Sequence, residues 1–106
     1  MSRPYEPEPP QETLQALQGP VVLDFGTNWC GYCRAAAPLI EAAFDGRERV
    51  RHIKVEDGKG RPLGRAYGVK LWPTLIFLRD GIEVARVVRP ARAEEITHAL
   101  DRIAAG

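Results

Sequence analysis

Two cysteines, two histidines and a net charge of only +1 in 106 residues leave little room for several common functions. So small a net charge gives no electrostatic reason to expect nucleic acid or an anionic membrane as the partner. The arginines outnumber the lysines but are scattered and often stand beside acids, as on a solvated surface. No apolar run approaches the roughly 18 residues of a membrane-spanning helix. Residues 1–10 are polar and proline-rich, without the apolar core and small-residue cleavage site of a secretory signal, so a cytoplasmic location is expected. Neither His52 nor His98 falls at metal-ligand spacing from the cysteines, which argues against structural zinc. There is no internal repeat, and the length suits one domain with a real core rather than two.

Both cysteines lie in one stretch, Trp29-Cys30-Gly31-Tyr32-Cys33, between an apolar run (residues 21–25) and a helix-like run (residues 34–44). Inside a cell, two thiols at this spacing fit catalysis or metal binding better than a structural staple. They close a small ring reversibly. At a helix start the first thiol also meets unpaired backbone N–H groups and a dipole that favours an anion. Cys30 therefore reads as the attacking thiolate. Cys33, one turn on and more buried, reads as the thiol that resolves a mixed disulfide. The alternative is a pair of ordinary buried cysteines.

Around this stretch the periodicities alternate between strand and helix. Residues 1–10 read as an extended or disordered tail ahead of a domain at residues 11–106. Residues 11–17 fit a short helix stopped by Gly19-Pro20, and residues 21–25 a strand covered on both faces. A helix starts at or just before Cys30, with Leu39, Ile40, Ala43 and Phe44 buried, Pro38 inside it and Asp45-Gly46 at its end. Residues 50–55 form a second strand, Ile53 and Val55 on one face, His52 and Lys54 on the other. Residues 61–67 make a short helix closed by Gly68, in which Tyr67 is a packing residue. Residues 74–78 and 83–88 form a hairpin about Asp80-Gly81. Glu94 and Glu95 open a last helix, with Ile96, Ala99, Leu100 and Ile103 at helical spacing. This order gives an α/β fold: a mixed sheet sandwiched between helices.

Asp24 is an acid in the middle of an otherwise apolar strand. A buried carboxylate needs a partner, and the functional reading makes it the acid/base that takes the Cys33 proton, directly or through water. The alternative is a strand-edge acid facing solvent. Lys54 on the next strand is its natural charge partner, or else a plain exposed lysine. Pro73 opens a buried strand, where on sequence alone its peptide bond is expected trans. Trp29 and Trp72 read as a contact surface beside the thiols rather than as core. His98 is a surface residue, and His52 is uninformative.

Leu23-Asp24-Phe25, Trp29-Cys30-Gly31-Tyr32-Cys33-Arg34, Pro38, Trp72-Pro73-Thr74-Leu75 and Asp80-Gly81 together resemble the thioredoxin family, over roughly residues 21–103. The resemblance implies a thioredoxin fold with a four-stranded, or five-stranded, sheet. It implies a protein-disulfide reductase that shuttles a Cys30–Cys33 redox disulfide; a monomer is the default expectation at this chain length. Cys30 would be the nucleophile, Cys33 the resolver, Asp24 the buried acid and Lys54 its neighbour. Pro73 would be cis and pack against the thiols. Trp29, Gly31, Tyr32, Trp72 and Pro73 would meet the substrate, Trp72 through its backbone. No bound cofactor or metal is implied. The electrons would come from an outside donor, NADPH through a flavin-dependent thioredoxin reductase, and protein disulfides would be the substrates. Several residues depart from the family pattern. Gly31-Tyr32 replaces the usual Gly-Pro and resembles disulfide isomerases, so an isomerase or weak oxidant is one alternative and a partner-binding module with incidental redox chemistry another. Gly26 replaces a common aromatic and is expected to open space beside Trp29. Trp72 replaces a smaller residue, Arg89-Pro90 replaces a glycine, and the proline-rich start lacks a first strand.

Overall fold

β1 (Pro20–Gly26) is the buried centre of the molecule in the computed structural model, which describes residues 3–104. The first two residues of the tail and the last two of the domain lie outside the described residues. Six further elements expected from periodicity appear with bounds shifted by one or two residues: α1 (Gln11–Ala16), α2 (Gly31–Phe44), β2 (Arg51–Glu56), α3 (Pro62–Ala66), β3 (Thr74–Arg79) and α4 (Ala93–Ala104). β4 (Ile82–Val88) completes the hairpin. The strand order is β2-β1-β3-β4, with β1 and β2 parallel and the other pairs antiparallel.

Alternation along the strands divides the core between the two faces of the sheet. Val22, Leu75 and Phe77 pack with Ala36, Ile40 and Ala43 of α2 and with Ile96, Leu100 and Ile103 of α4. On the opposite face Leu23, Phe25, Val55 and Ile76 pack with Leu14 of α1 and Leu63 of α3. Each fully buried Val, Leu, Ile or Phe among them contributes about 1.5–3 kcal/mol by leaving water. The hairpin turns at Asp80 (φ 53°) and Gly81 (φ 82°), where a Cβ on Gly81 would collide with the backbone carbonyl of Gln15. Among the described residues no helix is long and apolar enough to cross a membrane.

Of the two states expected for the proline-rich start, residues 3–10 take the extended one, and they run along the outer edge of β2. Glu6 N–H donates to Lys54 O (3.1 Å) and Glu56 N–H donates to Glu6 O (2.7 Å). The pairing stays a single parallel bridge, Glu6 to Val55. Pro4, Pro7, Pro9 and Pro10 have no N–H to extend it. The sheet therefore keeps four strands, and the edge is covered by a clipped-on segment.

Candidate active site

The chain leaves β1 at Gly26, turns through Thr27 and Asn28, and enters α2 with Cys30 as the helix cap. Cys33 N–H donates to Cys30 Sγ at 3.2 Å, so the first sulfur receives a backbone donor at the positive end of a 14-residue helix. Both thiols are free and shielded, Cys33 more than Cys30 (3% and 7% exposed). Burial pushes the Cys33 thiol up to about 12, with a hydrogen bond to Cys30 acting in the same direction. Cys33 thus keeps its proton until something takes it.

The Trp72–Pro73 peptide is cis, as the resemblance implies and against the expectation from sequence alone. Trp72 packs against the cluster of Cys30, Cys33 and Tyr5. Its ring meets Trp29 edge-on with centroids 5.6 Å apart, and Nε1–H donates to Asp57 Oδ2 (2.8 Å). Trp29 is 71% exposed, and Tyr32 and Gly31 are exposed beside it. Arg89, at φ 47°, lays its guanidinium over the Tyr32 ring (3.7 Å) and donates from Nε to Trp72 O (2.7 Å). The rim of the thiol site is therefore aromatic, with one cation fixed across it.

Asp24 is fully buried, which excludes the strand-edge reading. Its partner is not Lys54. The parallel register sets Lys54 directly beside Asp24, but Lys54 Nζ donates to Arg3 O (2.7 Å) and lies 4.5 Å over the Tyr5 ring. His52, two residues earlier on the same face, places Nε2 at 2.9 Å from Asp24 Oδ2. Its ring is stacked on Phe44 at 4.3 Å, which aims the imidazole inward. The long lysine reaches past the carboxylate to an open backbone carbonyl, whereas the ring is held by packing.

The other carboxylate oxygen, Oδ1, accepts a hydrogen bond from Tyr5 Oη at 3.0 Å. Tyr5 belongs to the proline-rich start and was not singled out by any motif. Its phenol is held far above the ordinary range, first by burial and then by the negative charge available on Asp24 and Cys33. Gly26 explains its place. A Cβ there would stand 2.6 Å from Cys33 Sγ and 2.7 Å from Tyr5 Cζ. The space expected beside Trp29 instead receives Tyr5 and Cys33. The signal in the sequence was paired: an aromatic missing at Gly26 and one present at Tyr5.

These ionisations carry a stability consequence. An unfolded Cys33 thiol loses its proton from about pH 9.0, its ordinary value, whereas the folded one holds it to about 12. In that window the unfolded state binds fewer protons, so stability falls as pH rises. Tyr5 adds to the slope above its ordinary value of 10.0. Urea midpoints of the reduced protein are expected to decline from about pH 9 upward. Cys33→Ala should remove the part of the slope that begins near pH 9 and leave the part that begins near pH 10. An unchanged slope in that variant would assign the effect elsewhere.

Comparison with known proteins gives one consistent result. The thioredoxin family model matches residues 5–102. Thioredoxin 1 of Synechococcus elongatus is 33% identical over 93 residues, 87% of this chain and 86% of that protein. Thioredoxin Asp f 28 of Aspergillus fumigatus is 32% identical over 82% of this chain and 81% of its own. The reduced thioredoxin 2 of Pseudomonas aeruginosa PAO1 superimposes with a TM-score of 0.87 at 50% identity, covering 98% of this chain and 97% of the other. Among the described residues no three His, Cys, Asp or Glu side chains are grouped as metal ligands.

Proposed function

Since the chain belongs to the thioredoxin family and is a thiol–disulfide oxidoreductase that reduces protein disulfides, we propose that Cys30 opens its reaction and Cys33 closes it. The Cys30 thiolate attacks a substrate disulfide; its electron pair makes the new S–S bond and the first substrate sulfur leaves as a thiolate. Cys33 then loses its proton and attacks Cys30 Sγ. The Cys30–substrate bond breaks, and the second substrate sulfur departs with its electrons. Asp24 is the base for the Cys33 proton. The observation that carries this division of labour is the hydrogen bond from Cys33 N–H to Cys30 Sγ at the start of α2, with Cys33 the more buried of the two.

The other roles follow the same reading. Trp29, Gly31, Tyr32, Trp72 and Pro73 form the rim on which an extended substrate segment lies. Lys54 is a positioning residue, fixing the segment that carries Tyr5. The dithiol holds both electrons, so no bound cofactor is needed, and NADPH supplies them through a flavin-dependent thioredoxin reductase. The protein works as a cytoplasmic monomer. With NADPH, such a reductase and insulin, the purified protein is expected to drive continuous NADPH oxidation as insulin precipitates. Insulin reduction with dithiothreitol but none with the reductase would remove the proposed donor. Reduction with neither would remove the proposed reaction.

A further inference from the structure

We propose that Tyr5 carries the proton from Cys33 to Asp24, so that the segment ahead of the first helix completes the active site. This inference rests on the assignment of Cys33 as the resolving thiol. A buried tyrosine hydroxyl always seeks a partner. What exceeds packing here is the identity of its two partners. Tyr5 Oη donates to Asp24 Oδ1 at 3.0 Å, and Tyr5 packs in one buried cluster with Cys33 beside the space left at Gly26. One is the group that must lose a proton in the second step, and the other is the base available to take it.

The contact is built in from several directions. The missing side chain at Gly26 leaves Cys33 and Tyr5 directly against each other, since a Cβ there would meet Tyr5 Oη at 2.8 Å and Cys33 Sγ at 2.6 Å. Tyr5 N–H donates to Asn28 Oδ1 (2.8 Å), in the turn just before the thiols. Glu6 pairs with the edge of β2, and Glu8 Oε2 accepts from Leu63 N–H (2.7 Å). Lys54 sits over the ring. Beyond Asp24, His52 Nε2 touches the second carboxylate oxygen, and its side chain is 14% exposed where Asp24 is 0%. His52 lines a cleft of about 250 Å3 with Arg3, Glu41, Asp45 and Lys54, the charged groups that face this relay from the segment, α2, its end and β2.

The step balances as a double transfer. As Cys33 sulfur attacks Cys30 Sγ, its proton passes to Tyr5 Oη while the Tyr5 proton passes to the Asp24 carboxylate. Tyr5 ends neutral, Asp24 ends protonated, and the substrate sulfur leaves with the electron pair of the broken bond. Burial holds both the Cys33 thiol and the Tyr5 phenol protonated near neutral pH, so neither ionises on its own and the two transfers run together.

Tyr5→Phe in the full chain keeps the ring and removes the carrier. In single turnovers with a peptide dimer joined by one disulfide, acid-quenched and weighed by mass spectrometry, formation of the mixed disulfide is expected within about twofold of wild type. Its resolution is expected to slow by about 10- to 100-fold, so the intermediate accumulates. The pH profile separates this from a structural role. Without the carrier, Cys33 must ionise into solvent, and resolution should rise nearly tenfold per pH unit from about pH 7 to 9 where wild type is flatter. Resolution at the wild-type rate and profile would overturn the relay, as would equal slowing of both steps with an unchanged profile. A second variant guards against a folding defect. Adding Tyr5→Phe to Asp24→Asn should slow resolution no further, whereas independent, multiplicative slowing would overturn the relay. A wild-type protein that forms no mixed disulfide at all would instead overturn the thiol–disulfide assignment on which the relay rests.

Discussion

Cys30→Ser is expected to lower disulfide reduction by roughly three orders of magnitude or more, to the uncatalysed rate. Cys33→Ser is expected to stop one step later, as a stable adduct of one substrate chain on Cys30. The two losses differ in kind because the two sulfurs stand in different surroundings. Cys30 caps α2 and receives a backbone N–H; a serine hydroxyl keeps that cap and is itself a favoured capping group, so the helix survives while the nucleophile does not. Cys33 is buried and holds its proton. Its replacement leaves the attack by Cys30 intact and removes the only route by which the mixed disulfide is resolved within the chain. Mass spectrometry of each variant after incubation with a disulfide peptide reads this directly. An adduct on the Cys30→Ser protein and none on Cys33→Ser would exchange the roles, and multiple turnovers by Cys33→Ser would remove Cys33 as the resolver.

Much of this site is legible in the sequence. Two thiols at helical spacing after an apolar strand, an acid inside that strand and a proline opening another are strong local signals; the structure joins the acid to the thiol cluster through Tyr5 and packs Trp72, the residue before the cis proline, against that cluster. The hairpin at Asp80-Gly81 was equally legible, because positive φ at both residues is a local demand. Two residues were not. Alternation puts His52 and Lys54 on one face without ranking them. Which one reaches Asp24 depends on the stacking of His52 on Phe44 and on the carbonyl of Arg3 that draws Lys54 away, both tertiary facts. Tyr5 lay in a proline-rich stretch that composition reads as a tail, and it docks because Gly26, about twenty positions on, leaves a ring-sized space. A missing side chain announces space, yet not what fills it.

The departure at Tyr32 bears on the direction of the reaction. A dithiol is oxidising when its reduced form is stabilised as a thiolate. The thiolate concerned is Cys30, which caps α2 and accepts the Cys33 N–H. Arg89 brings one cation to the rim, engaged with the face of Tyr32 and the carbonyl of Trp72. Tyr32 itself points into solvent and places no charge on the thiols. Membership of the thioredoxin family supports a reductant despite the Gly31-Tyr32 pair. The expected difference from an oxidising dithiol is large, because about 30 mV corresponds to about 1.4 kcal/mol for a two-electron couple.

The reduction potential of the Cys30–Cys33 couple is the most direct test, measured by equilibrating the protein against thiol–disulfide buffers and counting free and oxidised forms by mass. The expected value lies closer to about −270 mV than to about −180 mV. A value at or above about −180 mV would contradict it and make the protein an oxidant or isomerase of disulfides rather than their reductant.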